Sequence, residues 1–138
     1  MKRTLVPLAD GVEEMEAVII IDVLRRAGWN VVSAGLRPGP VTASRGVKIL
    51  PDADWSRLNL NEFDAIVIPG GAGGTKALSS DNRILDALRA FDKSGKMIAA
   101  VCAGPLVLQA AGIIRDRKVT CHPAVMSELV SAKKCNGR

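Results

Sequence analysis

Cys102 occupies the stretch of this chain best suited to chemistry. It directly follows residues 97–101 (MIAAV), an apolar run with the length and composition of a buried strand. It precedes Ala103-Gly104-Pro105, where the proline suits the first turn of a helix through Leu108 to Ala111. The spacing small-x-Cys-x-small, with Ala100 and Gly104 outermost, is that of a nucleophile elbow, in which a strand and a helix approach closely at a sharp turn. A helix start also offers unpaired N–H groups and partial positive charge, and both favour a thiolate. A small buried core thiol would satisfy the same spacing, so both readings stay open at this point.

Two other groups could work with it. Glu16 shares a helical stripe with Ile19, Ile20, Val23 and Ala27, and a carboxylate among apolar neighbours requires a partner or a bound proton. The plainer reading is a first-turn acid complementing the helix dipole, as for Glu13 and Glu14. His122 is the single histidine and hence the single candidate imidazole base. It follows the strand-like run 118–121, although His122-Pro123 also reads as a turn. Cys121 beside it forms no zinc site, since no second pair has ligand spacing. No Arg follows Cys102 in the next loop, which argues against phosphatase chemistry.

The glycine cluster after residues 64–68 (DAIVI) fails two nucleotide patterns. Lys76 lies between Thr75 and Ala77, which breaks the P-loop, and it stands where a dinucleotide fingerprint read from Gly71 needs its third glycine. What remains is a strand-end loop with free N–H groups. Ligands of open α/β sheets bind at the carboxyl ends of the strands, so Gly71 and Cys102 are expected to face one crevice.

These residues need a frame, and the frame reads as a single domain over residues 1–138. Strands are expected at 4–9, 29–34, 64–68, 97–101 and 118–121, with a small hairpin over 40–50 turning at Ser44-Arg45-Gly46. Residues 51–63 read as loop with one helical turn. Helices are expected at 12–27, from Ser80 or Asp81 to Lys93, at 105–111 and at 124–133. Asp10 with Glu13 has capping-box spacing for the first helix, which Gly28 ends. The alternation gives an α/β fold with a mostly parallel sheet. The first helix is apolar nearly all round, which predicts burial against the sheet on one side and a second subunit on the other.

Bulk properties narrow the function. The chain is 48% apolar and 24% charged, ordinary for a soluble domain, and it has no run of the roughly 18 apolar residues that span a membrane. No signal peptide is evident at the start, so the expected location is cytoplasmic. Three cysteines without CxxC spacing argue against a disulfide framework. The net charge of +5 is scattered, and four aromatics (Trp29, Trp55, Phe63, Phe91) make a poor stacking platform. Nucleic acid is therefore not an expected partner.

Three segments together resemble the ThiJ/PfpI superfamily and, within it, the branch of the Parkinson-disease-linked deglycase. They are Asp10-Gly11-Val12-Glu13-Glu14-Met15-Glu16, Ile68-Pro69-Gly70-Gly71 and Ala99-Ala100-Val101-Cys102-Ala103-Gly104-Pro105. Arg25-Arg26-Ala27-Gly28, Ser44-Arg45 and Val119-Thr120-Cys121-His122-Pro123 extend the match in collinear order. The resemblance implies a flavodoxin-like sandwich and a homodimer through the first helix. It assigns Cys102 as the oxidisable nucleophile and Glu16 as the protonated carboxyl beside it. Gly71 and Ala103, with the neighbouring Gly70, become the oxyanion and substrate-binding group. His122 becomes a pocket histidine, and Arg45, with Arg26 from the partner chain, a positive rim. Members of the branch also continue with a further strand, a Gly-Pro-Gly pocket loop and a C-terminal helix. The end at Arg138 therefore reads as a C-terminal truncation that leaves one sheet edge and part of the pocket wall bare.

The implied chemistry needs no cofactor and no metal. Cys102 adds to a reactive dicarbonyl such as methylglyoxal, and repair of early glycation adducts, including those on nucleotides, begins with the same step. Two other readings are an oxidative-stress sensor or chaperone acting through Cys102 oxidation, and a cysteine peptidase. The peptidase branch presents a histidine directly after the nucleophile, and residue 103 here is Ala.

Overall fold

Strands that are apolar on both faces must be covered on both sides, and this chain builds such a sheet. In β1 (Arg3–Leu8), Leu5 enters one core while Val6 and Leu8 enter the other. In β6 (Ala65–Ile68), Ile66 and Ile68 share the first core and Val67 the second. The computed structural model describes residues 2–136.

The sheet has five parallel strands in the order β5 (Ala53–Asp54), β2 (Asn30–Gly35), β1, β6, β7 (Met97–Ala100). On one face lie α2 (Ala72–Ser79), α3 (Asn82–Lys93) and α4 (Pro105–Ala111), over a core with Ile84, Leu88, Phe91 and Val107. On the other lie α1 (Glu14–Arg26) and the hairpin of β3 (Val41–Thr42) and β4 (Lys48–Ile49), with Val12, Ala17, Val41 and Ala43 inside. The chain builds outward from β1 through β2 to β5, then returns to β6 on the other side of β1. That reversal opens a crevice at the carboxyl ends of β1 and β6. The α/β, flavodoxin-like arrangement expected from the sequence is the one observed.

Several local expectations are corrected. The first helix begins at Glu14, and its cap is Glu13, whose carboxylate accepts the Glu16 N–H at 2.8 Å. Asp10 instead accepts from the Thr42 N–H at 2.9 Å and from Arg37 at 2.7 Å, which ties the loop after β1 to the hairpin. The expected loop 51–63 contributes β5 to the sheet and two 3-10 turns, Trp55–Arg57 and Leu60–Glu62. The glycine cluster is not loop throughout, because α2 starts directly after Gly71.

The expected helix over 124–133 is a 3-10 segment, Pro123–Glu128, followed after a bend by β9 (Lys134–Asn136), parallel to β8 (Lys118–Thr120). The Gln109 amide donates to the Glu128 carbonyl at 2.7 Å and accepts the Ser131 N–H at 3.1 Å, two groups an α-helix would have paired internally. The tail 133–138, expected as loop, is strand over Lys134–Asn136; the Cys135 side chain and Arg138 lie outside the described residues.

Two surfaces remain uncovered. On α1, Met15, Val18, Ile19 and Val23 are each more than half exposed. β7 pairs with β6 on one side and with no described strand on the other.

Candidate active site

Cys102 sits in the turn between β7 and α4 with a φ of 56°, a left-handed conformation that costs a non-glycine residue about 1–2 kcal/mol. The turn is closed by the Gly104 N–H donating to the Val101 carbonyl at 2.7 Å, while the Val101 N–H donates to Ile68 at 3.1 Å. A Cβ at Gly104 would stand 2.8 Å from the carbonyl oxygens of both Ile68 and Val101. Only glycine fits there, which is the physical content of the small-x-Cys-x-small spacing.

The crevice brings three loops to the Cys102 sulfur. From the first turn of α1, Glu16 hydrogen-bonds the thiol. From the loop after β6, the Gly70 N–H donates to Glu16 Oε2 at 2.7 Å, and the Gly71 N–H hydrogen-bonds the sulfur. From the elbow itself comes the Ala103 N–H. Gly70, expected among the oxyanion donors, thus holds the carboxyl, which leaves Gly71 and Ala103 as donors at the sulfur. A Cβ at Gly70 would meet Glu16 Oε2 and stand 2.8 Å from Cys102 Cβ.

Burial pushes the Cys102 thiol up, and the hydrogen bond and charge of Glu16 push it further; the Ala103 and Gly71 N–H groups pull it down without prevailing. The expected lowering by the helix start is therefore outweighed. A thiolate here requires the carboxyl to be the hydrogen-bond donor.

The glycine cluster packs backbone against backbone. Gly71 has a φ of 94°, and a Cβ at Gly74 would stand 2.7 Å from Val12 Cα. The loops after β1 and β6 interlock there, which fixes Glu16 relative to Gly70.

Outside this cluster lies a cavity of about 510 Å³, lined among others by Glu13, Ser44, Arg45, Gly71, Cys102 and His122. A neighbouring cavity of about 460 Å³ between α2 and α4 shares Ala72, Ala103 and Val125 with it. His122 is exposed, its backbone N–H donates to the Cys102 carbonyl at 2.9 Å, and its ring Nδ1 accepts the Ala124 N–H at 3.1 Å. The ring's Nε2 is left as its second polar atom. Arg26 is not brought to this cavity; it pairs with Asp22 at 2.8 Å on an exposed turn of α1.

Sequence reasoning missed Glu14. It is 9% exposed, accepting from the Ser44 hydroxyl at 2.6 Å and the Arg45 N–H at 2.7 Å. The Ser44 hydroxyl above all holds its carboxyl below the usual range. Three acids in four residues at one helix start exceed what a dipole needs, and that density was the available signal.

Comparison with known proteins places the chain among relatives. Protein dj-1beta of Drosophila melanogaster is 44% identical over 131 residues, covering 94% of this chain and 70% of that protein. Its crystal structure superposes with a TM-score of 0.94 at 41% identity, covering 99% of this chain and 74% of that one. The glutathione-independent glyoxalase DJR-1.2 of Caenorhabditis elegans is 42% identical over 117 residues, 85% of this chain and 62% of that protein. A protein named deglycase from Pyrococcus abyssi is 30% identical over 130 residues, 94% of this chain and 78% of its own length. The model of the DJ-1/PfpI family matches residues 2–136, running through the Glu16 helix start, the Gly70-Gly71 loop and the Cys102 elbow alike; the chain belongs to the DJ-1/PfpI family.

Proposed function

We propose that this chain is a cofactor-independent glyoxalase or deglycase acting on methylglyoxal-like dicarbonyls and their early adducts. The observation that carries the reading is the left-handed Cys102, hydrogen-bonded to Glu16 and to two N–H groups at the wall of an open cavity. The names of the nematode and archaeal relatives support the same activity.

In this mechanism the Cys102 proton passes to the Glu16 carboxylate as sulfur adds to the aldehyde carbon. The new oxyanion is received by the Gly71 and Ala103 N–H groups and takes that proton from Glu16, giving a hemithioacetal and restoring the carboxylate. Glu16 removes the proton on the former aldehyde carbon and returns it to the adjacent carbon, while the hydroxyl proton passes to the adjacent oxygen, converting hemithioacetal to thioester without an external oxidant. Water hydrolyses the thioester, releasing lactate and the free thiol. His122 and Arg45 face the cavity and would orient the substrate and the departing carboxylate.

A homodimer through α1 fits the exposed Met15, Val18, Ile19 and Val23 stripe, and such a dimer is the route by which Arg26 would reach a second copy's cavity. The sensor reading draws on the same donors, which would receive the oxygens of a Cys102 sulfinate.

The test is lactate formation from methylglyoxal by the purified chain, followed by NMR, with Cys102→Ala as control. Lactate from the wild type alone supports the enzyme. Stoichiometric Cys102 oxidation by peroxide with no lactate would overturn it in favour of the sensor.

A further inference from the structure

The hairpin that carries Arg45 is too small to hold itself. β3 and β4 have two residues each and share two residue pairs, and an isolated two-stranded hairpin is marginal even when longer. Its tip is fixed from outside. The Ser44 N–H donates to the Val12 carbonyl at 2.8 Å, and both carboxylate oxygens of Glu14 are engaged by Ser44 and Arg45. Arg45 is the only Lys or Arg among the described residues lining the Cys102 cavity.

We propose that Glu14 is a positioning residue: by clamping the Ser44-Arg45 backbone to the start of α1, it makes Arg45 the cation of the Cys102 cavity. The inference rests on the dicarbonyl reading for its meaning, since the reaction ends in a carboxylate that a fixed guanidinium would hold. Glu14 contacts neither sulfur nor substrate and acts through Arg45. Removing it leaves α1 capped by Glu13, because that cap is independent of the clamp.

The test compares alkylation of Cys102 by iodoacetate, an anion, with iodoacetamide, its neutral counterpart. Both react by the same displacement of iodide by sulfur, so their rate ratio, read at Cys102 by peptide mapping, cancels changes in thiolate fraction and reports cavity charge. Arg45→Ala is expected to lower the ratio about threefold or more, the scale of one displaced unit charge at a solvent-facing site. Glu14→Ala and Glu14→Gln are expected to lower it as well, and in an Arg45→Ala background Glu14→Ala should lower it no further. Ser44→Ala, which breaks one arm of the clamp, should fall between.

The sign is diagnostic. Deleting the Glu14 anion by itself would favour iodoacetate and raise the ratio, so only the loss of a positioned Arg45 lowers it. An unchanged or raised ratio in both Glu14 variants overturns the proposal, as does an Arg45→Ala ratio equal to wild type. Glu14→Gln keeps the size of the side chain and decides the matter if Glu14→Ala does not fold. Alkylation needs no turnover, so failure to make lactate would defeat the dicarbonyl reading while leaving this test intact.

Discussion

Gly70→Ala places one methyl group at the most crowded point of the site. Gly70 is absent from the positive-φ residues, so the substitution carries no backbone penalty of the left-handed kind and its effect is steric alone. The added carbon would stand 2.8 Å from Cys102 Cβ and 3.1 Å from the Ala103 nitrogen, and would collide with Glu16 Oε2. Carbon atoms rest about 3.5–4.0 Å apart, so Cys102 or the β6 loop must yield by about 1 Å. Neither side has slack, because the elbow is closed at Gly104 and the β6 loop is interlocked with Gly11 and Val12. Overpacking of this kind costs about 2 kcal/mol, which for a domain of this size lowers Tm by about 6–10 °C. The same displacement parts Glu16 from Cys102, so lactate formation is expected to fall further than stability does. Gly95→Ala is the control, since Gly95 has a φ of 66° and nothing within 4 Å of its Cβ position; it should cost stability and spare turnover. Differential scanning calorimetry with a lactate assay reads both. A Gly70→Ala chain with wild-type Tm and wild-type turnover would refute the crowding on which the site's rigidity is argued.

Three further outcomes are expected. Glu16→Gln removes a charge that pushes the Cys102 thiol up, so iodoacetamide at pH 7 should label Cys102 faster while lactate formation collapses for want of a transferable proton; slower labelling would contradict the assigned sign. Arg37 first, and then the Thr42 N–H, hold the Asp10 carboxyl below its ordinary 3.8. Its stabilisation is therefore present above that value and lost as pH falls through the lower folded one, so Asp10→Asn should flatten acid unfolding below about pH 4, and an unaltered acid limb would refute it. Ile19→Asp puts a charge in the exposed α1 stripe and should convert a sedimenting dimer to monomer; a wild type that is a stable monomer at micromolar concentration removes the dimer itself.

The parts of the fold legible in the sequence were those dictated by burial on both faces. DAIVI and MIAAV have one interpretation at their length, and the elbow follows from small residues at two fixed offsets from Cys102. What could not be read depends on contacts remote in the chain. Gly73 and Gly74 argue for loop by propensity, yet they sit in α2 because Gly11 and Val12 press against them. Residues 124–133 carry a helical pattern, but Gln109 takes the backbone partners a helix needs. Glu13, Glu14 and Glu16 look alike as first-turn acids. Their separate tasks, capping, clamping the hairpin and binding the thiol, are set by neighbours such as Ser44, thirty positions away from Glu14.

The interlocking of the loops after β1 and β6 also governs when the site comes into being. Its members are supplied by segments spread along the chain; the Glu16–Gly70 bond alone spans 54 positions. As the polypeptide leaves the ribosome, β1, α1 and β2 can associate early through nearby contacts, whereas β7 and its elbow emerge long after. A nascent chain therefore carries Cys102 as an ordinary thiol, without its donors, its carboxyl or its left-handed turn. The arrangement around Cys102 is therefore complete only once β7 has docked on β6 and the β6 loop has met the start of α1.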